Sequence, residues 1–141
     1  MATGDGFYAA TANNTAVLLP LQVGQTIAED VNFTQAFSKL FAFRGKDKDV
    51  LVMSDIATGF KTITQEETDL DLDENEEVGT VEVPSADRAI YFQNRLWIPN
   101  SDLIFTSDYI NPTRGSIFSQ LRINQGSADA LTGIIALTDF Q

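Results

Sequence analysis

Apolar positions fall in short runs along the chain, and the longest of these changes period part-way. Phe33, Ala36, Phe37, Leu40 and Phe41 recur at helical spacing and define one helical face. Just upstream, Thr26-Ile27-Ala28-Glu29 has the capping-box spacing, in which hydroxyl and carboxylate satisfy the first free amides of a helix. The same stretch continues as Lys39-Leu-Phe-Ala-Phe-Arg44, which suits a strand. After the turn cluster Gly45 to Lys48, the segment Asp49-Val-Leu-Val-Met53 predicts a second strand. A short helix near the N-terminus that gives way to a hairpin around Phe37 reconciles the two periods.

Further along, the apolar runs shorten and turn signals become regular. Val81 to Val83, Ala89 to Phe92, Arg95 to Ile98 and Asp102 to Phe105 read as strands. Pro84-Ser, Gln93-Asn94 and Pro99-Asn-Ser101 separate them. Asn111 to Gly115 and Asn124-Gln-Gly126 are further turns, before a final apolar segment from Leu131 to Leu137. The expected class is mainly β, built of antiparallel hairpins with one possible short helix. Residues 1–25, rich in Gly, Ala, Asn and Thr, read as a flexible arm, because small polar side chains offer little apolar area against the entropy of ordering. Its anchors are Val17, Leu18, Leu19, Leu21 and Val23, a short strand bent at Pro20 that either stays mobile or is ordered by a neighbouring subunit. Residues 26–141 form the β-rich domain, interrupted by the acidic loop 66–77.

Composition narrows the chemistry. The 141 residues hold 20 acids against 9 bases and no histidine or cysteine, for a net charge of −11. Such a surface repels phosphate and disfavours tight nucleic-acid binding or anionic membranes. The missing residue types remove disulfides, thiolate zinc sites and Ser-His-Asp catalysis. No apolar run approaches a membrane span, and the first twenty residues lack the basic start of a signal peptide. Paired carboxylates can cleave glycosides. Here, however, the acids lie in one run or at strand ends, where they cap turns, so no catalytic residue is assigned. Arg95 and Trp97, on alternate positions of one strand, share a face; the expectation is that Trp97 packs between sheets while Leu96 and Ile98 take the other side.

The chain also matches itself. Lys39-Leu-Phe-Ala42 and Arg95-Leu-Trp-Ile98 share a base, a leucine and an aromatic. Asp49-Val-Leu-Val-Met-Ser-Asp55 then aligns with Asp102-Leu-Ile-Phe-Thr-Ser-Asp108. The two copies lie roughly 55 positions apart, near the period of propeller blades. Each would be a hairpin whose Ser-Asp pair ends the second strand by capping free amides. That is material for two to three blades, whereas a closed ring needs at least about four. The chain is therefore expected to be a piece of a longer protein, or to have its open edges covered by other subunits.

At these residues the sequence resembles the β-propeller virion proteins of tailed bacteriophages, of the tail-nozzle or tail-tube type. The resemblance is carried by Lys39 to Arg44, by Pro84-Ser-Ala-Asp87 with Tyr91-Phe-Gln-Asn-Arg-Leu-Trp-Ile-Pro99, by Asp102 to Asp108 and by Asn124-Gln-Gly-Ser-Ala-Asp129. It covers roughly residues 33 to 141, in a family whose members are much longer. It implies a non-enzymatic structural part of the virion, assembled in the host bacterial cytoplasm. Copies would associate with one another in a ring and with other virion proteins, forming part of the genome conduit. The alternative is a stand-alone β binding module, calcium-dependent or not, that recognises protein or glycan.

Calcium is the one candidate cofactor. Asp71, Asp73 and Asn75 occupy positions 1, 3 and 5 of an EF-hand-like loop, and Glu82 falls at position 12, where a bidentate ligand is wanted. Yet Glu76 stands where the loop needs glycine, and Pro84 where an exit helix should begin. A solvated loop with no ordered ion fits those two departures better. Thermal unfolding is accordingly expected not to shift with millimolar calcium; a clear rise would make these four residues ligands.

Overall fold

The computed structural model describes residues 2–3, 6–10, 12–13, 15–27, 30–69, 80–109, 111–116, 118–123 and 131–137. The chain is mainly β, with antiparallel sheets and, among the described residues, one short helix. Strands β1 (Ala2–Thr3), β2 (Gly6–Ala10) and β3 (Ala16–Leu18) make a three-stranded N-terminal sheet. A central sheet follows as a meander of β4 (Asn32–Ala36), β5 (Lys39–Phe43), β6 (Leu51–Met53) and β7 (Lys61–Thr62). Helix α1 (Ile63–Asp69) leaves β7 directly, and β8 (Thr80–Glu82) comes next. The C-terminal sheet contains β9 (Ile90–Phe92), β10 (Arg95–Asn100) and β11 (Leu103–Thr106). Then β12 (Arg114–Ser116) turns back to pair with β8, and β13 (Gln120–Arg122) adds to β11 as the fourth strand.

The central sheet is apolar on both faces, so it is covered on both. Phe41, Phe43 and Val52 point to one side and join Leu96, Ile98 and Phe105 of the C-terminal sheet in one core. Ala42 and Leu51 point to the other side and meet Phe7, Leu19 and Phe60, with Leu40 and Met53 packed against them. Three sheets thus stack face to face. A continuous apolar run such as Leu40-Phe-Ala-Phe43 is what a strand buried from both sides requires.

That stacking overturns two expectations. The stretch from Phe33 to Phe41 is strand, turn and strand, and the helix lies at Ile63–Asp69 instead. Its apolar residues divide between two cores: Phe33 packs edge-on against Phe7, whereas Ala36 and Phe41 face the C-terminal sheet. The reversal is a two-residue turn in which Phe37 takes φ 54°, with its ring set against Tyr91 at 5.6 Å. Nor do residues 6–10 and 16–18 stand as a free arm. Phe7 is fully buried, 4.6 Å from Phe60 between ring centroids; of the expected anchors, Leu19 is buried and Leu21 packs against the same core, while Val17, Leu18 and Val23 are exposed. One large aromatic outweighs the small residues around it, because burying it is worth about 2–3 kcal/mol.

After β3 the chain runs along the edge of the central sheet. Leu21 forms a parallel bridge with Phe60, and the Phe60 amide donates to the Pro20 carbonyl at 2.9 Å. A side chain at Gly59 would run into that carbonyl, and its φ of +69° also favours glycine. Elsewhere, β10 runs through Pro99 to Asn100 and turns at Ser101, which has φ 58°. Between β9 and β10, Gln93 and Asn94 both take positive φ, as a tight type I′ hairpin needs. Residues 131–137 form no strand, and Ile135 and Leu137 are 78% and 80% exposed. The predicted turn at 124–126 lies outside the described residues.

The self-match falls on equivalent strands, since β5 and β10 are each second in a four-stranded meander and β6 and β11 each third. Its register slips, however. Phe41 pairs with Val52, whereas Trp97 pairs with Thr106, which the sequence match aligns with Met53. A one-residue slip exchanges faces. Leu51 therefore looks toward the N-terminal sheet, while its counterpart Ile104 shares the outward face of β11 with Thr106.

Truncating Phe7 tests the three-layer reading. Phe7→Ala is expected to cost about 3–5 kcal/mol in urea unfolding, as for a core phenylalanine. A residue in a free arm would change stability by less than about 0.5 kcal/mol.

Candidate functional site

The densest polar chemistry lies where the acidic run begins. Thr62 ends β7 and caps α1, its hydroxyl accepting from the Gln65 amide at 3.3 Å. Thr62-Ile-Thr-Gln65 carries the same spacing as the motif at Thr26, and here it opens the helix. Ile63 is buried and pins the first turn to the core. Glu66 and Glu67 are therefore carried inward, with exposures of 2% and 6%, rather than solvated as the run suggested.

Glu66 binds three groups of the central sheet. Its Oε1 accepts from Lys39 Nζ of β5 at 3.1 Å and from the Ser54 hydroxyl beyond β6. Its Oε2 lies 3.2 Å from Lys61 Nζ of β7. Lys39 Nζ also donates to Ser54 Oγ at 2.7 Å, and Lys61 Nζ reaches Asp69 Oδ2 at 2.6 Å. Burial pushes the Glu66 carboxyl up, but hydrogen bonds from Ser54, Lys39 and Lys61 together hold it below its ordinary value. Lys61 is raised, first by its bond to Asp69 and then, against the opposing effect of burial, by Glu66. Asp69 is lowered by Lys61 and Gln65.

Glu67 points to the other side. Arg114 of β12 grips it with two bonds, Nε to Oε1 at 2.8 Å and Nη2 to Oε2 at 2.6 Å. Thr113 donates to Asn111 Oδ1 at 2.6 Å beside this pair. The helix thus bolts the central sheet to the β8–β12 ribbon through two adjacent carboxylates. A fork-on-carboxylate contact of this kind is among the strong, oriented hydrogen bonds.

A groove of about 280 Å³ runs past this cluster, lined by Gln35, Ser38, Lys39, Ser54, Asp55 and Ile56. The exposed Ser54 hydroxyl with a lysine and a carboxylate has the parts of a nucleophile. Its electrostatics do not suit one: Glu66 is held below its ordinary value, which makes it a weak base, and its Oε1 is taken up by Lys39 Nζ at 3.1 Å. What the arrangement does chemically is hold two layers in register. A second, polar groove of about 570 Å³ opens between the layers, lined by Asp30, Val31, Asn32, Asp87 and Arg88.

The two Ser-Asp pairs have different jobs. Asp55 Oδ1 accepts from the Ala57 amide at 2.8 Å, the expected Asx-turn. Ser107 is fully buried and accepts from the Leu96 amide at 2.9 Å, extending the β10–β11 pairing by one bond. On β10 the expected arrangement is reversed, because the strand register turns Leu96 and Ile98 rather than Trp97 toward the core. Trp97 lies on the outward face, half-buried, and donates from its indole to the Phe92 carbonyl at 2.9 Å. Arg95 stacks over Tyr109, 3.7 Å from the ring centroid, rather than over Trp97. Sequence reasoning also missed Arg44, which is buried and donates to the carbonyls of Thr26 and Asp49 and to the side chain of Gln25. Burial lowers its pKa, against the opposing pull of Asp49.

Of the candidate calcium ligands, Asp71, Asp73 and Asn75 lie outside the described residues. Glu82 accepts from the Thr64 hydroxyl at 2.6 Å, tying β8 to α1. Among the described residues no three metal-ligating side chains gather, and no helix is long and apolar enough to cross a membrane. Set against known proteins, the chain matches no family model, no curated protein and no solved structure.

The clamp makes a pH prediction. Because Glu66 titrates lower in the folded chain, its stabilisation is complete above the ordinary carboxylate value of about 4.3 and is lost as pH falls through the folded value. Lys61, raised on folding, contributes fully below its ordinary value and loses that contribution as pH rises through the folded one. Glu66→Gln should cost about 1–3 kcal/mol at pH 7, since it removes the carboxylate that Lys39 and Lys61 share while Ser54 and Asp69 still partner them. Denaturant titrations should show this deficit shrinking toward acid; a deficit independent of pH would contradict the assignment.

Proposed function

We propose that the chain is a non-enzymatic structural component of a bacteriophage virion, one that self-associates in a ring in the tail or neck around the genome conduit. One observation carries this reading: successive four-stranded meanders stack face to face with their first strands side by side. Asn32 of β4 donates to the Asp87 carbonyl at 2.9 Å, and Thr34 to the Ala89 carbonyl at 2.8 Å, where the chain enters β9. Blades of a propeller meet in this way, with their first strands toward a central channel. The sequence resemblance points to the same architecture, and the N-terminal sheet reads as a third, partial layer.

The remaining features agree with that role. A stack of two full layers and one partial layer does not close on itself, so its end faces call for neighbours, either further copies or other virion proteins. A net charge of −11 suits a conduit that lets DNA pass without gripping phosphate. On this reading the protein resides in the virion after assembly in the host cytoplasm and has no membrane partner. Electron microscopy of the purified chain, with light scattering over a wide concentration range, tests the idea. A discrete ring of constant mass is expected; a monomer at all concentrations would overturn it and favour a stand-alone binding module.

A further inference from the structure

Charge is spread unevenly along the chain, and two stretches carry none. Residues 6–27 and 131–137 contain no Asp, Glu, Lys or Arg, so all 20 acids and 9 bases lie outside them. A net charge of −11 pushes copies apart, but a contact between these two stretches opposes no charged side chains of its own. Each stretch is also incomplete as β structure. Strand β3 pairs with β2 on one side, and among the described residues its other side is an open edge. Val17 and Leu18 on β3 are 44% and 58% exposed. Leu131-Thr-Gly-Ile-Ile-Ala-Leu137 is the converse, an extended apolar segment with no strand beside it. Its backbone bond to the described fold runs from the Leu131 amide to the Ser101 carbonyl at 2.8 Å, and Ile135 and Leu137 stand out from the surface.

We propose that residues 131–137 of one copy add as a strand to the β3 edge of a second copy, head to tail. An open edge and an extended segment of this kind join through backbone hydrogen bonds. The occupant is a second copy because the chain carries both halves of the junction at opposite ends of the stack. The edge belongs to the N-terminal sheet, and the segment leaves from the β10–β11 turn of the C-terminal sheet, the two covers of the central sheet. Joining unlike ends continues from copy to copy, as a ring requires. Other edges are less open: Leu21 bridges the approach to β7, and β13 carries Arg122 in an ion pair with Asp102. In the added strand, Ile135 and Leu137 share one face and lie alongside the exposed apolar side chains of β3.

This junction rests on the ring reading, and the experiment separates the two. The chain has no cysteine, so introduced thiols report proximity without background. Full-length Val17→Cys is mixed under oxidation with Ile135→Cys, Ala136→Cys and Leu137→Cys in turn, with thermal unfolding as a control for folding. A disulfide between the two different chains is expected for at least one pair, and the corresponding double variant should yield a ladder of linked copies. Light scattering behind gel filtration compares the wild type with Ile135→Pro, which removes a strand amide at an exposed position. Ile135→Pro is expected to dissociate at about tenfold higher concentration than wild type. Added salt should strengthen the wild-type assembly, because it screens the remaining like charges. Absence of the interchain disulfide, a disulfide formed only within single chains, or an Ile135→Pro ring of unchanged stability overturns the junction while leaving the ring intact. A monomeric wild type overturns both.

Discussion

Everything in this fold follows from a sheet that cannot show either face to water. Strands β5 and β6 alternate large apolar side chains to both sides, Phe41 and Val52 one way, Ala42 and Leu51 the other. A sheet of that kind must be an inner layer. The N-terminal sheet and the C-terminal sheet are the two covers, and each is itself apolar on the side it turns inward. Phe7 is the plug of the first cover, and Leu96, Ile98 and Phe105 are the body of the second.

Apolar contact sets the order of layers but leaves them free to slide, and the charges of α1 remove that freedom. Glu66 and Glu67 are neighbours in sequence with partners on different sheets. Their cost of desolvation is met only when Lys39, Lys61 and Arg114 are all in place, so a misregistered stack would strand several charges at once. Arg44 plays a similar part on a smaller scale. Its guanidinium collects carbonyls from Thr26 and Asp49 and so fixes the segment that links the N-terminal and central sheets.

Strands β9, β10 and β11 were legible because turn signals bound each of them, and Gln93-Asn94 forms the hairpin its composition implied; β13, the short polar Gln120–Arg122, carried no such signal and was not read as a strand. Phe33 to Phe41 misled because residues at helical spacing can also lie on two strands folded together; only the tertiary partners Phe7 and Tyr91 decide between them. Of the N-terminal sheet, β3 and the buried Leu19 fall at the short strand read before Pro20, whereas β2 was hidden because Phe7 stands among small side chains. Glu66 and Glu67 looked solvated because an acidic run carries no mark of cations far along the chain. The Thr62-to-Gln65 spacing was the available clue that a helix would turn them inward. Nothing local could reveal that the two self-matching hairpins differ by one residue in pairing.

The contact between Phe7 and Phe60 also bears on how the chain is made. Phe60 leaves the ribosome roughly fifty residues after Phe7, and non-local closures of this kind are the slow steps of folding. Until β7 emerges, the first sheet has no surface to lie on, and its apolar side waits uncovered. These strands, made before the ones they pack on, are therefore among the last parts of the fold to become secure, and they are the surface most open to misassociation while synthesis proceeds.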